Sequence, residues 1–309
     1  MNKAVLTASM MAAFMAGNAT AATVYQDDTY ELKVGGRAEA RFNISDENET
    51  TTQSAFEDKT RARLSIQGKS KLSSDLIAFG KYEEEINTDG EHKTRYIYAG
   101  LDTSIGAFSY GKQDSAQVML TDYTDIMATF GGEGGDLIQG NKDKLDNVFL
   151  YQQDMGAITL AANYTAKDQK DSDNYGLAVQ YATEMGLNLG LGYVDGKEAN
   201  VSADQANVAI SYSLGDLYLA GLYVMGALGE VDLIGYEVAA AYQVGSFAIQ
   251  GTYNYQESEN AGITTEQANA FALEGVYKLN GHLRGYAGYL FDQRDGKDDQ
   301  LQAGLRFDF

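Results

Sequence analysis

The sequence predicts an all-β fold, a transmembrane antiparallel β-barrel of 16 strands, and three observations favour it. First, the chain has 309 residues and no proline, although ordinary usage predicts about 15, and proline lacks the N–H that a strand ladder needs. Second, apolar and polar residues alternate in many segments. Third, the connections between these segments alternate between short and long along the chain. A mean hydropathy of −0.33 agrees with this fold, because barrel strands are apolar on one face only.

The N-terminal segment has the features of a secretory signal peptide. Lys3 supplies a positive charge, residues 4–17 are almost wholly apolar, and residues 19–21 form an A-x-A cleavage site. We therefore expect residues 1–21 to be removed on export and residues 22–309 to form an outer-membrane β-barrel. A membrane-anchoring helix is the alternative, but the apolar core is too short to span a bilayer.

The strand period is clearest at the C-terminus. Apolar residues stand at every second position from Leu301 to Phe309, and polar residues or glycine stand between them. One face of this strand is therefore apolar and the other carries charge. Similar alternation occurs at residues 32–42, 62–67 and 247–255. A soluble β-sandwich would also alternate, so this period alone leaves both classes open.

The connections favour the barrel over the sandwich. Seven short turns are predicted near residues 70–74, 104–106, 155–156, 185–186, 214–216, 244–246 and 278–281. Eight longer polar loops alternate with these turns along the chain, at residues 44–57, 86–92, 115–146, 167–174, 196–206, 227–230, 256–268 and 292–299. Short periplasmic turns and long external loops are the layout of outer-membrane barrels. A barrel this wide cannot be filled by its own side chains, so it encloses water or a plug.

Composition excludes several classes of function. Lys and Arg total 23 against 44 Asp and Glu, a formal net charge of −21, which disfavours any nucleic-acid partner. Without cysteine there are no disulfides or thiolate zinc sites, and the acidic segment 292–299 misses the EF-hand spacing. We predict no metal, no cofactor and no enzyme, since the two histidines, His92 and His282, accompany no hydrolase motif. A barrel-borne hydrolase is the weakest alternative.

The connection at residues 115–146 is the longest and contains the glycine-rich segment FGGEGGD at residues 130–136. A loop of this length in a compact fold is usually functional. Its candidate functional acids are Asp122, Asp125, Glu133 and Asp136. The residues alone allow two structures for this loop: a solvated external loop, or a segment folded into the lumen whose acids line the pore.

Arginines concentrate on the polar faces of three predicted strands near the N-terminus. Their positions are Arg37, Arg41, Arg61, Arg63 and Arg95. Facing lipid at mid-depth, each would cost about 2–4 kcal/mol, so the alternation directs them into the lumen. They either solvate the interior or form a cationic wall, and their clustering on nearby strands favours the wall.

Several motifs together resemble the general porins of Gram-negative outer membranes. They are ATVYQDD at residues 22–28, ARLSIQG at 62–68, HKTRYIYAGL at 92–101, YTDIMATFGGEGGD at 123–136, DNVFLY at 146–151 and the terminal RFDF. The resemblance covers the whole mature chain in order. It implies a homotrimer of 16-stranded barrels, each passing small hydrophilic solutes through a pore narrowed by the third external loop folded inward.

The resemblance also assigns roles to particular residues. Arg37, Arg63 and Arg95 match the family's cationic wall, which Arg61 joins on the same face, and Lys144 stands where the family usually has another arginine. Glu83 matches an acid beside that wall.

On the loop side, Asp125 matches an acid that faces the arginines. The usual PEFGGD motif is here ATFGGEGGD, so Thr129 occupies the family's glutamate position and Glu133 lies in a short insertion. The geometry of the constriction is therefore expected to differ from the family's.

The function implied is passive diffusion through a water-filled pore, with mild cation preference. The alternative is a substrate-specific channel, which would show a line of aromatics along the lumen; the tyrosines here fit interfacial girdles better. Expected partners are lipopolysaccharide and phospholipid of the outer membrane, and the barrel-assembly machinery, which in this family reads a terminal aromatic such as Phe309.

Overall fold

The computed structural model describes residues 21–309, and within them the chain is a closed antiparallel β-barrel. Sixteen strands form the wall, each paired with its neighbours in sequence, and the last strand pairs with the first long one to close the circle. The fold class predicted from the sequence is confirmed. The predicted signal peptide lies outside the described residues except for Ala21, so its removal stays a prediction.

The strands are Ala22–Gln26 (β1), Tyr30–Ile44 (β2), Phe56–Asp58 (β3), Arg61–Ser73 (β4), Leu76–Asn87 (β5), His92–Thr103 (β6), Gly106–Gln113 (β7), Leu145–Met155 (β8), Ile158–Thr165 (β9), Asn174–Ala182 (β10), Leu187–Glu198 (β11), Val201–Leu214 (β12), Leu217–Leu228 (β13), Val231–Val244 (β14), Phe247–Asn260 (β15), Ile263–Lys278 (β16), Leu283–Asp292 (β17) and Gln300–Asp308 (β18). The described helices are short: an α-helix at Val118–Thr121 (α1) and 3-10 turns at Asp46–Asn48 and Gln139–Asn141. No helix in residues 21–309 is long and apolar enough to cross a membrane.

Two short strands accompany the 16 strands of the wall. β1 pairs with the beginning of β2, on the same edge where β18 pairs with its end. β3 pairs with the last residues of β2 inside the first external connection. The first described strand, β1, and the last, β18, therefore meet end to end along one edge of β2.

The seam between β18 and β2 is fastened at the C-terminal residue. Phe309 exchanges backbone hydrogen bonds with Gly36, at 2.8 and 3.0 Å. A side chain at Gly36 would have its Cβ 2.8 Å from the Phe309 ring. The absence of a side chain at Gly36 thus leaves the space that the terminal aromatic ring occupies.

Three of the eight predicted external loops are shorter than expected. The seven periplasmic turns occur as predicted, but the strands flanking residues 199–200, 229–230 and 261–262 continue to tips of two residues each. The predictions of loops at 196–206 and 256–268, and in part 227–230, were therefore wrong. Polar composition there reflects strands that extend beyond the bilayer into water, where a strand needs no apolar face for its hydrogen-bonded ladder to continue.

Alternation along the strands separates two environments. On β18, Leu305 and Phe307 point outward and are about half exposed, whereas Arg306 and Asp308 point inward and are buried. The same parity holds on β2, where Ala38 and Ala40 are exposed and Arg37 and Glu39 are buried. The outward face is thus apolar and the inward face carries the charges, as the sequence predicted.

Candidate functional site: a loop inside the barrel

The long connection between β7 and β8 folds into the barrel and packs on its inner wall. Its apolar side chains, including Leu120, Ile126 and Ile138, are buried against inward residues such as Val194 and Val224. The wall residues in this contact are mostly alanine, valine and leucine, unlike the charged residues elsewhere on the inner face. The sequence left the position of this loop open on physical grounds. The structure places it in the lumen, because its apolar side matches an apolar part of the wall.

Buried amides fix the first part of the loop to the wall. The Gln117 side chain donates to the backbone oxygens of Leu177 (3.0 Å) and Tyr193 (3.1 Å) and accepts from Asn207 (2.7 Å). Asn207 also donates to Asn141 near the far end of the loop, at 2.7 Å. The two arms of the loop are therefore joined through one wall residue. Since all these groups are buried, leaving any of them unpaired would cost about 1–3 kcal/mol.

Glycines on the wall make room for helix α1. A Cβ at Gly190 would lie 2.4 Å from Leu120, and one at Gly192 would lie 1.9 Å from the Gln117 Oε1. Both glycines are on β11, two residues apart, and thus on the same inward face. Their lack of a side chain leaves room for the Leu120 and Gln117 side chains against the wall.

Two buried glutamates on the wall hold the middle of the loop. Glu237 of β14 accepts hydrogen bonds from the Thr124 hydroxyl and, at 2.8 Å, from the Gly134 backbone N–H. Glu274 of β16 accepts from the Ala128 N–H at 3.0 Å and from Gln250 at 2.6 Å. Neither glutamate was identified from the sequence. Their inward parity was readable, but which loop atoms they meet depends on the closed fold.

The two ends of the loop meet at Asp114. Its carboxylate accepts from the Tyr96 hydroxyl at 2.9 and 3.0 Å and from the Lys144 backbone N–H at 3.0 Å. Lys144 has a positive φ of 52° and pairs with Asp143. Its ammonium lies 5.8 Å from the centre of the Tyr96 ring.

The predicted basic residues Arg37, Arg61, Arg63 and Arg95 lie together on the inner face of β2, β4 and β6. Arg37 and Arg63 are directly opposite each other across the β2 and β4 pair. Arg41 lies apart from this group, donating to Gln302 at 2.5 Å and to the loop oxygen of Ala128 at 3.5 Å.

Three glutamates are interleaved with these arginines. Glu39 lies 2.6 Å from Arg61 and 3.6 Å from Arg37. Glu85 contacts Arg63 directly and lies 3.7 Å from Arg61 and 3.6 Å from Arg95. Glu83, which the resemblance singled out, lies 2.9 Å from Arg95. Glu39 and Glu85 were not selected from the sequence, although strand parity places them on the same inward face.

The four predicted loop acids do not form one row. Asp122 and Asp125 follow helix α1 and are exposed. Asp136 is partly buried and accepts from Asn141 at 3.1 Å, within the loop itself. Glu133 is exposed on the glycine-rich segment, where its charge interacts with Arg294 at the end of β17.

The enclosure of the loop by the barrel alters the titration of its charges. Loss of surrounding water, followed by the negative charges of Asp125 and Asp114, raises the pKa of Asp122 to about 7 even though its carboxylate reaches lumenal water. The pKa of Asp125 is raised as well, first by desolvation and then by Glu133 and Asp136. Desolvation and the nearby Arg95 lower the pKa of Lys144 to about 8.

The loop and the arginines occupy different halves of the barrel. Most of the loop's bonds to the wall run from Asn163 on β9 to Glu274 on β16, which are eight consecutive strands, and Arg41 of β2 and Tyr96 of β6 add two contacts outside this range. The arginine cluster lies on β2, β4 and β6, in the other half. The exposed acids Asp122 and Asp125 and the arginine cluster are therefore carried by different parts of the structure, the loop and the wall.

Known proteins are similar to this chain in sequence over nearly its whole length. Residues 7–297 match the family model described as Gram-negative porin. The porin-like protein L of Photobacterium profundum is 36% identical, with both chains fully covered.

Two solved structures show the same fold. The OmpF of Salmonella typhi superposes with a TM-score of 0.82 at 20% identity, covering 93% of this chain and all of that one. The OmpT of Vibrio cholerae, described in a trimer form, gives 0.74 at 18% identity, covering 91% of this chain and all of that one. The chain belongs to the Gram-negative porin family and forms a passive channel of the outer membrane.

Proposed function

We propose that this porin is a mildly cation-selective diffusion channel whose constriction lies between the exposed loop acids and the arginine cluster. The acidic side consists of Asp122, Asp125, Glu133 and Asp136, and the basic side of Arg37, Arg61, Arg63, Arg95 and Lys144, with Glu83 beside it. The observation that supports this proposal is that Asp122 and Asp125 are exposed on a loop fixed to β9–β16 and interact electrostatically with Lys144, which in turn interacts with Arg95.

Opposite charges on two sides of a narrow aqueous passage produce a transverse field. Water and dipolar solutes orient in this field, whereas apolar solutes gain nothing from it and lose hydration. Passage involves no chemical step, so we propose no enzymatic activity and no cofactor. Assays of the purified protein for ester and peptide hydrolysis test this point, and turnover abolished by a single substitution in the lumen would contradict it.

The cation preference follows from how the arginines are neutralised. Arg61, Arg63 and Arg95 share Glu85 as an ionic partner. In addition, Glu39 pairs with Arg61 and Glu83 pairs with Arg95. The three glutamates therefore offset most of the charge of the four arginines, and Glu83 also pairs with Lys81 at 3.3 Å. Asp122 and Asp125 interact electrostatically with Lys144, whose charge balances only one of them.

The selectivity is tested by reversal potentials of single channels in a salt gradient. The wild type should prefer potassium over chloride, and Asp122→Asn with Asp125→Asn should reduce or invert that preference. Asp154→Asn, near a periplasmic turn, is the charge-matched control and should change it little. A clear anion preference of the wild type would overturn the selectivity while leaving the channel function intact.

We infer that the barrels assemble as homotrimers through the outer face of the terminal strands. Ala38 and Ala40 are exposed there, and their small size permits close packing. Gly36, on the same face, is covered by the Phe309 ring and does not contribute. Lipopolysaccharide and phospholipid would cover the remaining outer face, and the barrel-assembly machinery would read Phe309.

Reconstitution in a planar bilayer tests the assembly. Conductance steps in groups of three, lost when Ala38 and Ala40 are both changed to tryptophan, would support the trimer. Single uncorrelated steps from the wild type would contradict it.

A further inference from the structure

A row of charged side chains crosses the inner face of the barrel at the seam between its ends. Strand pairing places Lys278 opposite Arg284, Arg284 opposite Arg306, and Arg306 opposite Glu39. Glu39 in turn is opposite Arg61. All five side chains point inward, so the row links the arginine cluster to three further basic residues on β16, β17 and β18.

The row runs from the periplasmic end of the pore toward its outside end, because barrel strands are tilted. Lys278 is the last residue of β16 and Arg284 the second of β17, on either side of the periplasmic turn at residues 279–282. Arg61, at the other end, is the first residue of β4 after the first external connection. Lys278 and Arg284 thus lie at the periplasmic mouth.

The arrangement around Arg284 holds its guanidinium in a fixed position. Asp308 lies 3.0 Å from the Arg284 Nη2 and 2.7 Å from the Arg306 Nη2, so one carboxylate serves two arginines. The side chains of Arg306 and Asp308 are 7% and 4% exposed, whereas that of Arg284 is 14% exposed. Lys278 is partly exposed as well. The inner pair therefore supports an outer pair that solutes in the mouth can reach.

Positive charges outnumber negative ones around this position. The charges that interact with Arg284 are those of Arg306, Asp308 and Glu39, and Lys278 interacts with Arg284 and Asp308. Nearby, a ring nitrogen of His282 bonds the Asp308 backbone oxygen, and Tyr286 donates to Glu39. On the other side, Arg306 interacts with Arg37, which interacts with Arg63.

We propose that Lys278 and Arg284 form an anion-binding site, at the periplasmic mouth, for solutes that carry more than one negative oxyanion charge, such as phosphorylated small molecules. A guanidinium presents a planar fork to phosphate oxygens and an ammonium adds a mobile point charge. A monovalent anion would interact with one of the two groups, whereas a polyanion can bridge both. The site lies outside the constriction and is independent of whether the small-ion preference is cationic.

The test is block of single-channel current by inorganic tripolyphosphate, added to one chamber at a time at about 0.1 M salt, where charges interact over about 10 Å. A single cysteine introduced at Ser246 in a periplasmic turn, in a chain that has none, identifies the periplasmic chamber when it is labelled from one side. We expect block at lower tripolyphosphate concentration from the periplasmic chamber than from the external one.

The double variant Lys278→Gln with Arg284→Gln should raise the half-blocking concentration about tenfold, because it removes both groups that a polyanion bridges. The matched control is Lys69→Gln with Lys71→Gln, which removes two charges from the periplasmic end of β4. This control should change the half-blocking concentration by less than about twofold. If the double variant fails to fold, Lys278→Gln alone, at the end of its strand, should still raise the half-blocking concentration about threefold.

Equal effects of the two pairs of substitutions would overturn the site, since only the net charge of the mouth would then matter. The proposed site would also be overturned if block were equal from both chambers and unchanged by Lys278→Gln. Reversal potentials of the same channels separate this outcome from the proposed selectivity, because the cation preference can fail while the sided block persists.

Discussion

Gln117 of the inward loop lies directly against Gly192 of the barrel wall, so closely that a Cβ at Gly192 would lie 1.9 Å from the amide oxygen of Gln117. That oxygen accepts from Asn207, and the amide nitrogen donates to two backbone oxygens of the wall. The depth of the loop in the lumen is therefore set where β11 lacks a side chain.

Gly192→Ala should displace the loop toward the centre of the pore and reduce single-channel conductance. Overpacking of this kind costs about 1–3 kcal/mol, so the variant should also unfold at lower denaturant concentration. Gly221→Ala is the control, because its added Cβ would meet Ile210 at an ordinary 3.7 Å. Unchanged conductance in Gly192→Ala would show that the loop does not depend on this contact.

Glu237→Leu should loosen the middle of the loop. The substitution leaves the Gly134 N–H without its acceptor, at about 1–3 kcal/mol for a buried group, and leaves the Thr124 hydroxyl with the Thr121 backbone oxygen, at 3.3 Å. Hydrogen exchange at residues 124–134 should accelerate, while exchange in the strands β4 and β5 stays slow. Glu237→Gln keeps one acceptor oxygen and should have an intermediate effect; equal protection in all three proteins would contradict the role of Glu237.

Glu85→Gln should shift the reversal potential toward anions. Arg61, Arg63 and Arg95 each have Glu85 as an ionic neighbour, so its neutralisation leaves excess positive charge on the wall. Glu91→Gln, on the exposed connection before β6, removes the same charge and should change the potential little. A shift toward cations in Glu85→Gln would mean that the wall does not face the permeating ions.

Cation preference should rise with pH between about 5 and 9. The pKa of Asp122 is raised to about 7 and that of Asp125 is raised too, so lowering the pH neutralises these acids earlier than usual. The pKa of Lys144 is lowered to about 8, so raising the pH removes its positive charge. Both effects have the same sign, and reversal potentials measured across this range check them.

The Asp122→Asn and Asp125→Asn double variant is the control for this pH dependence. This variant should lose the change in cation preference that Asp122 and Asp125 cause below pH 7. It should keep the change that Lys144 causes near pH 8. A cation preference in the wild type that falls as pH rises would contradict the assignment of these groups to the pore.

Local patterns in the sequence predicted more of the barrel than of the site. Period-two alternation identifies the inward face from Arg37 to Arg95 without any knowledge of pairing, because side-chain direction is a local property of a strand. It fails at the hairpin around residues 261–262, where strands in water need no apolar face.

Contacts between the loop and the wall were not predictable in the same way. Glu237 and Thr124 are far apart in the chain and meet only after the barrel has closed and the loop has entered it. The sequence shows a polar inward residue at Glu237 but not its partner. The predicted loop acids illustrate the same limit, since Asp136 bonds within the loop and Glu133 lies toward Arg294.

The attachment of the loop to β9–β16 separates two tasks in space. Residues that maintain the narrow passage, such as Gly192 and Glu237, stand on one half of the wall, and those that set its charge, such as Arg63 and Glu85, stand on the other. Exchange of charges at positions such as Arg63 and Glu85 therefore leaves the attachment of the loop to β9–β16 untouched. A lineage can retune which ions and solutes pass by substituting a few residues, without having to rebuild the passage itself.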